Sequence, residues 1–226
     1  MSTPNSRNIA PYIQHTLIKV GVTRDEIIRH AEEAAEYGFG AAMVPGSWVS
    51  EVAAVLSGTG IEVASALDFP TVGVMTSEGK AREAEALTKA GATQIDIGVQ
   101  IGWLKSGMEE EFAQDIRGVV EAAGVPIKVM LELPLLTDDE KERAVELSMD
   151  AGAAWLKNAS SGQIETASPA SVEYLVKRVR PGILVKASGS ITSLSQAWSL
   201  IDAGAQALGT SAGAELVAGN DAAASY

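Results

Sequence analysis

The 226-residue chain has no cysteine and only two histidines, His15 and His30. The first absence excludes disulfides, thiolate metal sites and thiol nucleophiles. The second argues against a histidine metal centre or a Ser-His-Asp hydrolase site. Basic residues are also scarce, with 17 Lys and Arg against 29 Asp and Glu, a formal net charge of −12. That balance repels nucleic acid and anionic membranes, and no basic tract interleaved with aromatics offsets it. No apolar run reaches transmembrane length. The opening Met1-Ser2-Thr3-Pro4-Asn5-Ser6 carries no charged-then-apolar signal pattern, so the expected location is cytoplasmic.

What is present is a recurring unit: an amphipathic helix, a small-residue turn, then a short apolar strand. The pattern predicts a helix over Asp25–Tyr37, ended by Gly38 and followed by a strand over Ala41–Pro45. Helices over Ser77–Lys89, Asp138–Asp150 and Leu194–Asp202 each run into an Ala-Gly-Ala turn, at 90–92, 151–153 and 203–205. Strands are expected directly after these turns, over Gln94–Val99, Trp155–Lys157 and Ala207–Ser211. Further strand candidates are Gln14–Leu17, Glu62–Leu67, Ile127–Glu132 and Ile183–Ala187. Eight continuous apolar strands with helices between most of them fit a TIM (β/α)8 barrel, with an open doubly wound sheet as the alternative. Nothing resembles a linker, so one domain spanning 1–226 is expected, ending in a mobile tail at about 218–226.

Charged residues interrupt several of these apolar strands. They are Asp96, Lys128, Lys157 and Lys186, with Glu132 closing its strand. Catalytic groups of a barrel sit at the C-terminal ends of the strands. A buried ammonium must be desolvated, so its pKa falls, and a second lysine on the neighbouring strand lowers it further. A partly neutral amine is what attack on a carbonyl requires. The competing structural reading has each lysine end its strand with the amine snorkelled into solvent, and Asp96 cap a loop.

At these residues the sequence resembles the deoxyribose-phosphate aldolases. The segments that carry the resemblance, in order, are Gln14-His15-Thr16-Leu17-Ile18-Lys19, Gln94-Ile95-Asp96-Ile97, Ile101-Gly102-Trp103-Leu104-Lys105-Ser106-Gly107, Leu135-Leu136-Thr137-Asp138, Lys186-Ala187-Ser188-Gly189 and Gly209-Thr210-Ser211-Ala212-Gly213. The resemblance runs from about residue 12 to 217. It implies a class I aldolase on a TIM barrel, without metal or cofactor, that splits 2-deoxyribose 5-phosphate reversibly into acetaldehyde and glyceraldehyde 3-phosphate. It further implies that Lys157 forms the Schiff base, Lys186 depresses its pKa, and Asp96 shuttles protons. Lys128 matches another family lysine near the substrate. Tyr226 matches a tail tyrosine that moves a proton at the acetaldehyde carbon, against the plainer reading of a chain end. A homodimer is implied as well.

The departures lie where the family holds phosphate. A Thr-Ser-Thr-Gly pattern usually follows the Schiff-base lysine; here Asn158-Ala159-Ser160-Ser161-Gly162-Gln163 follows. Gly189 is followed by Ser190, Ile191 and Thr192 where the family has a second glycine and then an arginine. Gln14 replaces an aspartate, and Ala42-Met43-Val44-Pro45-Gly46 replaces a Cys-Val-Asn-Pro-like stretch. Glycine admits backbone N–H groups close to a phosphate and arginine grips it bidentately. Ser160, Ser161, Gly189, Ser190, Gly209, Thr210 and Ser211 are the candidate substrate-binding set, with a small aldehyde or sugar as the expected partner. Three readings stay open: the aldolase the resemblance implies, a divergent Schiff-base lyase acting on an unphosphorylated or different substrate, and a silent binding barrel.

Overall fold

In the computed structural model, which describes residues 7–225, eight parallel strands close into one barrel in the order β1 to β8, with β8 pairing back onto β1. The closure excludes the open doubly wound sheet. The first half runs β1 (Ile13–Thr16), α1 (Arg24–Tyr37), β2 (Ala41–Val44), α2 (Val49–Leu56), β3 (Glu62–Leu67), α3 (Ser77–Ala90) and β4 (Gln94–Gly98). Then come α4 (Ile101–Lys105), α5 (Glu109–Ala123), β5 (Ile127–Met130), α6 (Asp138–Asp150) and β6 (Trp155–Lys157). The chain ends with α7 (Pro169–Val176), β7 (Leu184–Ser188), α8 (Leu194–Asp202), β8 (Ala207–Thr210) and α9 (Gly213–Val217). Among the described residues no helix is long and apolar enough to cross a membrane.

Local chemistry sets these limits. Thr23 and Glu26 form a capping box at the start of α1, and Thr137 and Glu140 form another at the start of α6. Thr137 of the Leu-Leu-Thr-Asp segment therefore starts a helix. Gly38 ends α1 in the left-handed conformation. The middle glycines of the Ala-Gly-Ala turns do the same work, with φ of 110° at Gly91, 96° at Gly152 and 109° at Gly204. One backbone geometry thus serves three helix-to-strand returns. The strand expected over 127–132 stops at Met130, and Glu132 sits beyond it at φ 50°, opening a tight turn over Leu133–Leu135.

Strand residues alternate between two environments. Those facing outward, such as Ile95, Ile97, Val129, Leu156, Val185 and Leu208, join one large core with the helices, among them Phe112 and Ile116 of α5 and Leu200 of α8. The inward set behaves differently. Ala41, Met43 and Ala64 make a separate apolar cluster inside the β1–β3 half of the barrel. The β4–β7 half is filled by charged side chains instead.

Replacing Gly91 by Ala forces a left-handed φ on an L-residue and sets the new methyl 2.7 Å from the Ala53 methyl. We expect a loss of about 1–3 kcal/mol. Gly118, inside α5 with open space around it, responds oppositely to Ala, gaining up to about 1 kcal/mol of helix propensity. Urea midpoints with unchanged slopes measure both; equal signs would refute the turn argument.

Candidate active site

Strand register decides which side chains meet. Asp96 on β4 pairs with Lys128 on β5, and Lys157 on β6 pairs with Lys186 on β7. Laterally paired residues point to the same face of a sheet, so all four enter the barrel. Asp96, Lys128 and Lys186 are 0% exposed and Lys157 is 3% exposed. The snorkelling reading therefore fails: the amines are inside.

One carboxylate holds them together. Asp96 Oδ2 accepts from Lys186 Nζ at 2.7 Å and from Lys157 Nζ at 3.3 Å, while Oδ1 lies 3.3 Å from Lys128 Nζ. Lys157 Nζ also lies 3.4 Å from the Ser160 carbonyl and 3.7 Å from Met130 Sδ. Burial acts to raise the Asp96 carboxyl, but the charges of Lys186, Lys128 and Lys157 outweigh it and hold the group well below the usual carboxylate range. For Lys128, burial dominates and lowers the amine to about 7, Asp96 opposing and Lys186 adding to the shift. An amine of this cluster thus titrates near neutrality.

Of the other expected residues, Ser161 and Ser190 line a cleft of about 560 Å³ formed by the loops after the strands, whereas Ser211 lines a second cleft with His15 and Glu33. Ser161, Gly162, Gln163, Ser190 and Ser225 supply the polar wall of the first, Ile18, Val20, Pro45, Phe69 and Pro70 its apolar one, and Lys19 adds a cation. Ser190 is held at φ 48°, an uncommon conformation for a residue with a side chain. Gly189, at φ 119°, lets the loop pass against the Glu165 carbonyl, which a methyl group would strike. Gly209 ends up inside β8. The Thr210 hydroxyl donates to Ile191 O at 2.8 Å and lies 3.0 Å from the Ser225 hydroxyl, which also accepts from the Ser211 N–H at 3.2 Å. Upstream of Ser225, the Ala222 N–H donates to Thr192 O. Tyr226 lies outside the described residues. Trp155 packs by Lys128, its ring 5.8 Å from Nζ.

Residues next to the four charged ones brace this site, and of these sequence reasoning missed the part of Asn158. Asn158, next to Lys157, clips the two lysine strands together: its Oδ1 accepts from the Ser188 N–H at 2.9 Å and its Nδ2 donates to Ser188 O at 3.0 Å. Glu132 Oε1 accepts from the Ser160 N–H at 2.8 Å, and burial first of all raises this carboxyl's pKa. The asparagine amide beside Lys157 was the available signal. Elsewhere, His15, His30 and Glu33 line a cleft of about 580 Å³ between β1 and α1, remote from the four charged residues. Their donor atoms lie within 4.8 Å, but the two rings are stacked at 4.2 Å and 19°, so their in-plane lone pairs do not converge on one ion.

A closed (β/α)8 barrel whose mouth gathers buried lysines around one aspartate defines a class, the lysine-dependent class I aldolases, which are carbon–carbon lyases. Comparison with known proteins supplies the family. The deoxyribose-phosphate aldolase of Geobacillus sp. strain WCH70 is 38% identical over 221 residues, covering 97% of this chain and 99% of its own. That of Crocosphaera subtropica is 42% identical over 210 residues, covering 93% and 94%. The tetrameric deoxyribose phosphate aldolase of Aeropyrum pernix superposes with a TM-score of 0.83 at 29% identity, over 93% of this chain and 89% of that one. No family model matches. The chain belongs to the deoxyribose-phosphate aldolase family.

The Lys128 shift has a definite sign in stability. Below pH 7 the amine is protonated both folded and unfolded, and folding carries the full cost of burying it. Between about 7 and its ordinary 10.5 the unfolded chain binds a proton that the folded one does not, so stability rises with pH across that window. In Lys128→Met that contribution is absent. Urea midpoints between pH 7 and 10 are expected to climb less in the variant; identical slopes would contradict the assignment.

Proposed function

We propose that the chain cleaves 2-deoxyribose 5-phosphate reversibly into acetaldehyde and glyceraldehyde 3-phosphate, through an imine on Lys157. The observation that carries this is the difference among three amines sharing one carboxylate. Of the three, only Lys157, the last residue of β6, has any solvent exposure.

The neutral Lys157 amine attacks C1 of the open-chain sugar to give a carbinolamine. Asp96, 3.3 Å from Lys157 and 2.7 Å from Lys186, passes protons to the departing hydroxyl, which leaves as water. The resulting iminium draws in the electron pair of the C2–C3 bond as the C3 hydroxyl loses its proton. Glyceraldehyde 3-phosphate departs and an enamine remains on Lys157. Protonation of the enamine carbon and hydrolysis of the imine release acetaldehyde and restore the amine. Asp96 is ionised between transfers, because its low pKa suits a carrier that accepts a proton and returns it at once. Lys186 and Lys128 keep the amine cluster short of negative charge, which favours a neutral Lys157. From the family resemblance, Tyr226 takes the role of delivering the proton to the acetaldehyde carbon.

The phosphate end is assigned to the polar wall of the mouth. Ser161 and Ser190 line that cleft, Ser225 joins it by hydrogen bonds to Thr210 and Ser211 after Gly209, and Ser160 and Gly189 shape the loops that carry the two serines. Hydroxyls, N–H groups and the Lys19 ammonium that also lines the cleft stand where the family uses an arginine, so recognition rests on several dispersed donors.

Lys157→Met is expected to reduce cleavage to background, and Asp96→Asn to slow it by about 10²–10⁴-fold. Coupled detection of glyceraldehyde 3-phosphate, with 2-deoxyribose as the unphosphorylated control, measures both. Full activity of Lys157→Met refutes the mechanism. Equal kcat/KM for the two sugars refutes the phosphate assignment.

A further inference from the structure

A second group of buried charges lies outside the amine cluster. Lys80 of α3, Asp68 after β3 and Asp115 of α5 have side chains that are 0% exposed. Lys80 Nζ lies 2.5 Å from Asp115 Oδ2 and 3.2 Å from Asp68 Oδ2, and donates to the Gly98 carbonyl at 2.9 Å. Asp68, held at φ 54°, accepts from the N–H groups of Gly73, Val74 and Met75 at 2.9–3.1 Å. Asp115 Oδ1 accepts from the Ser77 hydroxyl at 2.7 Å. Three charges and an uncommon backbone conformation are a costly way to gain stability, since a well-packed apolar replacement is often neutral or better.

What the triad does hold is a shape. The ring of bonds closes the loop from Asp68 to Met75 onto itself and fastens it to α3 and α5. The same loop is laid against the exit of β4: the Asp68 carbonyl sits so close over Gly98 that a methyl there would strike it, and Gln100 Nε2 donates to Met75 O at 2.7 Å. The loop presents Phe69 and Pro70 as the apolar wall of the mouth cleft, facing Ser161 and Ser190. The span between the walls is therefore set by Lys80, which neither lines the cleft nor touches the amine cluster.

We propose that the buried Asp68–Lys80–Asp115 triad is a positioning device that holds the Phe69–Pro70 wall at the distance the far, phosphorylated end of the substrate requires. It governs binding of that end and leaves imine chemistry at Lys157 alone. The proposal rests on the substrate reading above. An aldehyde of two carbons reaches Lys157 without needing the wall, whereas the full sugar phosphate needs both.

The test uses Lys80→Met and the milder Asp115→Asn, each alone and combined with Phe69→Ala, in protein whose near-ultraviolet circular dichroism matches the wild type. KM for 2-deoxyribose 5-phosphate is expected to rise about tenfold in Lys80→Met and less in Asp115→Asn, with kcat within about twofold. Borohydride adduct yield with acetaldehyde, read by intact mass, stays at the wild-type level. Because the triad acts through the wall, neither substitution raises KM further in the Phe69→Ala background. Should Lys80→Met not fold, Asp115→Asn carries the same comparison. An unmoved KM in folded variants, effects that add to Phe69→Ala, or loss of the acetaldehyde adduct overturns the proposal. Wild-type protein that forms no adduct overturns the imine reading instead.

Discussion

A single buried carboxylate balances three buried amines, and the rest of the structure is arranged around that imbalance. Asp96 is within 3.3 Å of Lys128, Lys157 and Lys186, so every charged group on this side of the barrel interior meets at one residue. Taking an ammonium out of water costs several kcal/mol unless it is paired. Three amines share this carboxylate, and burial, only partly offset by Asp96, lowers the Lys128 amine to about 7. A carbonyl-attacking lysine needs the same scarcity of negative charge.

The barrel makes this affordable by dividing its labour. Outward faces of the strands and inner faces of the helices form the large apolar core, which supplies the stability. Inside, the β1–β3 half carries the apolar cluster of Ala41, Met43 and Ala64, and the Asp96 cluster lies in the β4–β7 half. Low-dielectric packing on one side strengthens the electrostatics on the other. Above the charges, loops rather than strands decide what enters. They carry strained residues, Asp68, Glu132 and Ser190, all at positive φ without being glycine. Each of the three sits one or two residues beyond the end of a barrel strand, where shape matters more than local backbone energy.

Much of this was legible in the sequence because buried parallel strands are expected to be apolar. Asp96, Lys128, Lys157 and Lys186 interrupt such runs, and the interruption itself marks them. The Ala-Gly-Ala turns were legible for a similar reason, since a left-handed helix end has few residue solutions. Partners were not legible. Lys80 could have been noticed as a charge at i with Ala84 and Leu87 on the buried face of α3, yet Asp68 and Asp115 reach it through the path of one loop and the docking of another helix. Likewise, the Asn158 clip and the Glu132–Ser160 bond depend on how two strand exits lie side by side. Strand ends were read one or two residues long at β4 and β5, because apolar character continues past the last ladder bond there into buried Val99 and Leu131.

Which of the three amines becomes covalent is the point on which the account stands. Borohydride reduction in the presence of acetaldehyde, followed by peptide mapping, reads it directly. The arrangement around Asp96 predicts a reduced two-carbon adduct on Lys157, the one lysine of the three with any solvent exposure. An adduct on Lys186 or Lys128 instead would contradict it.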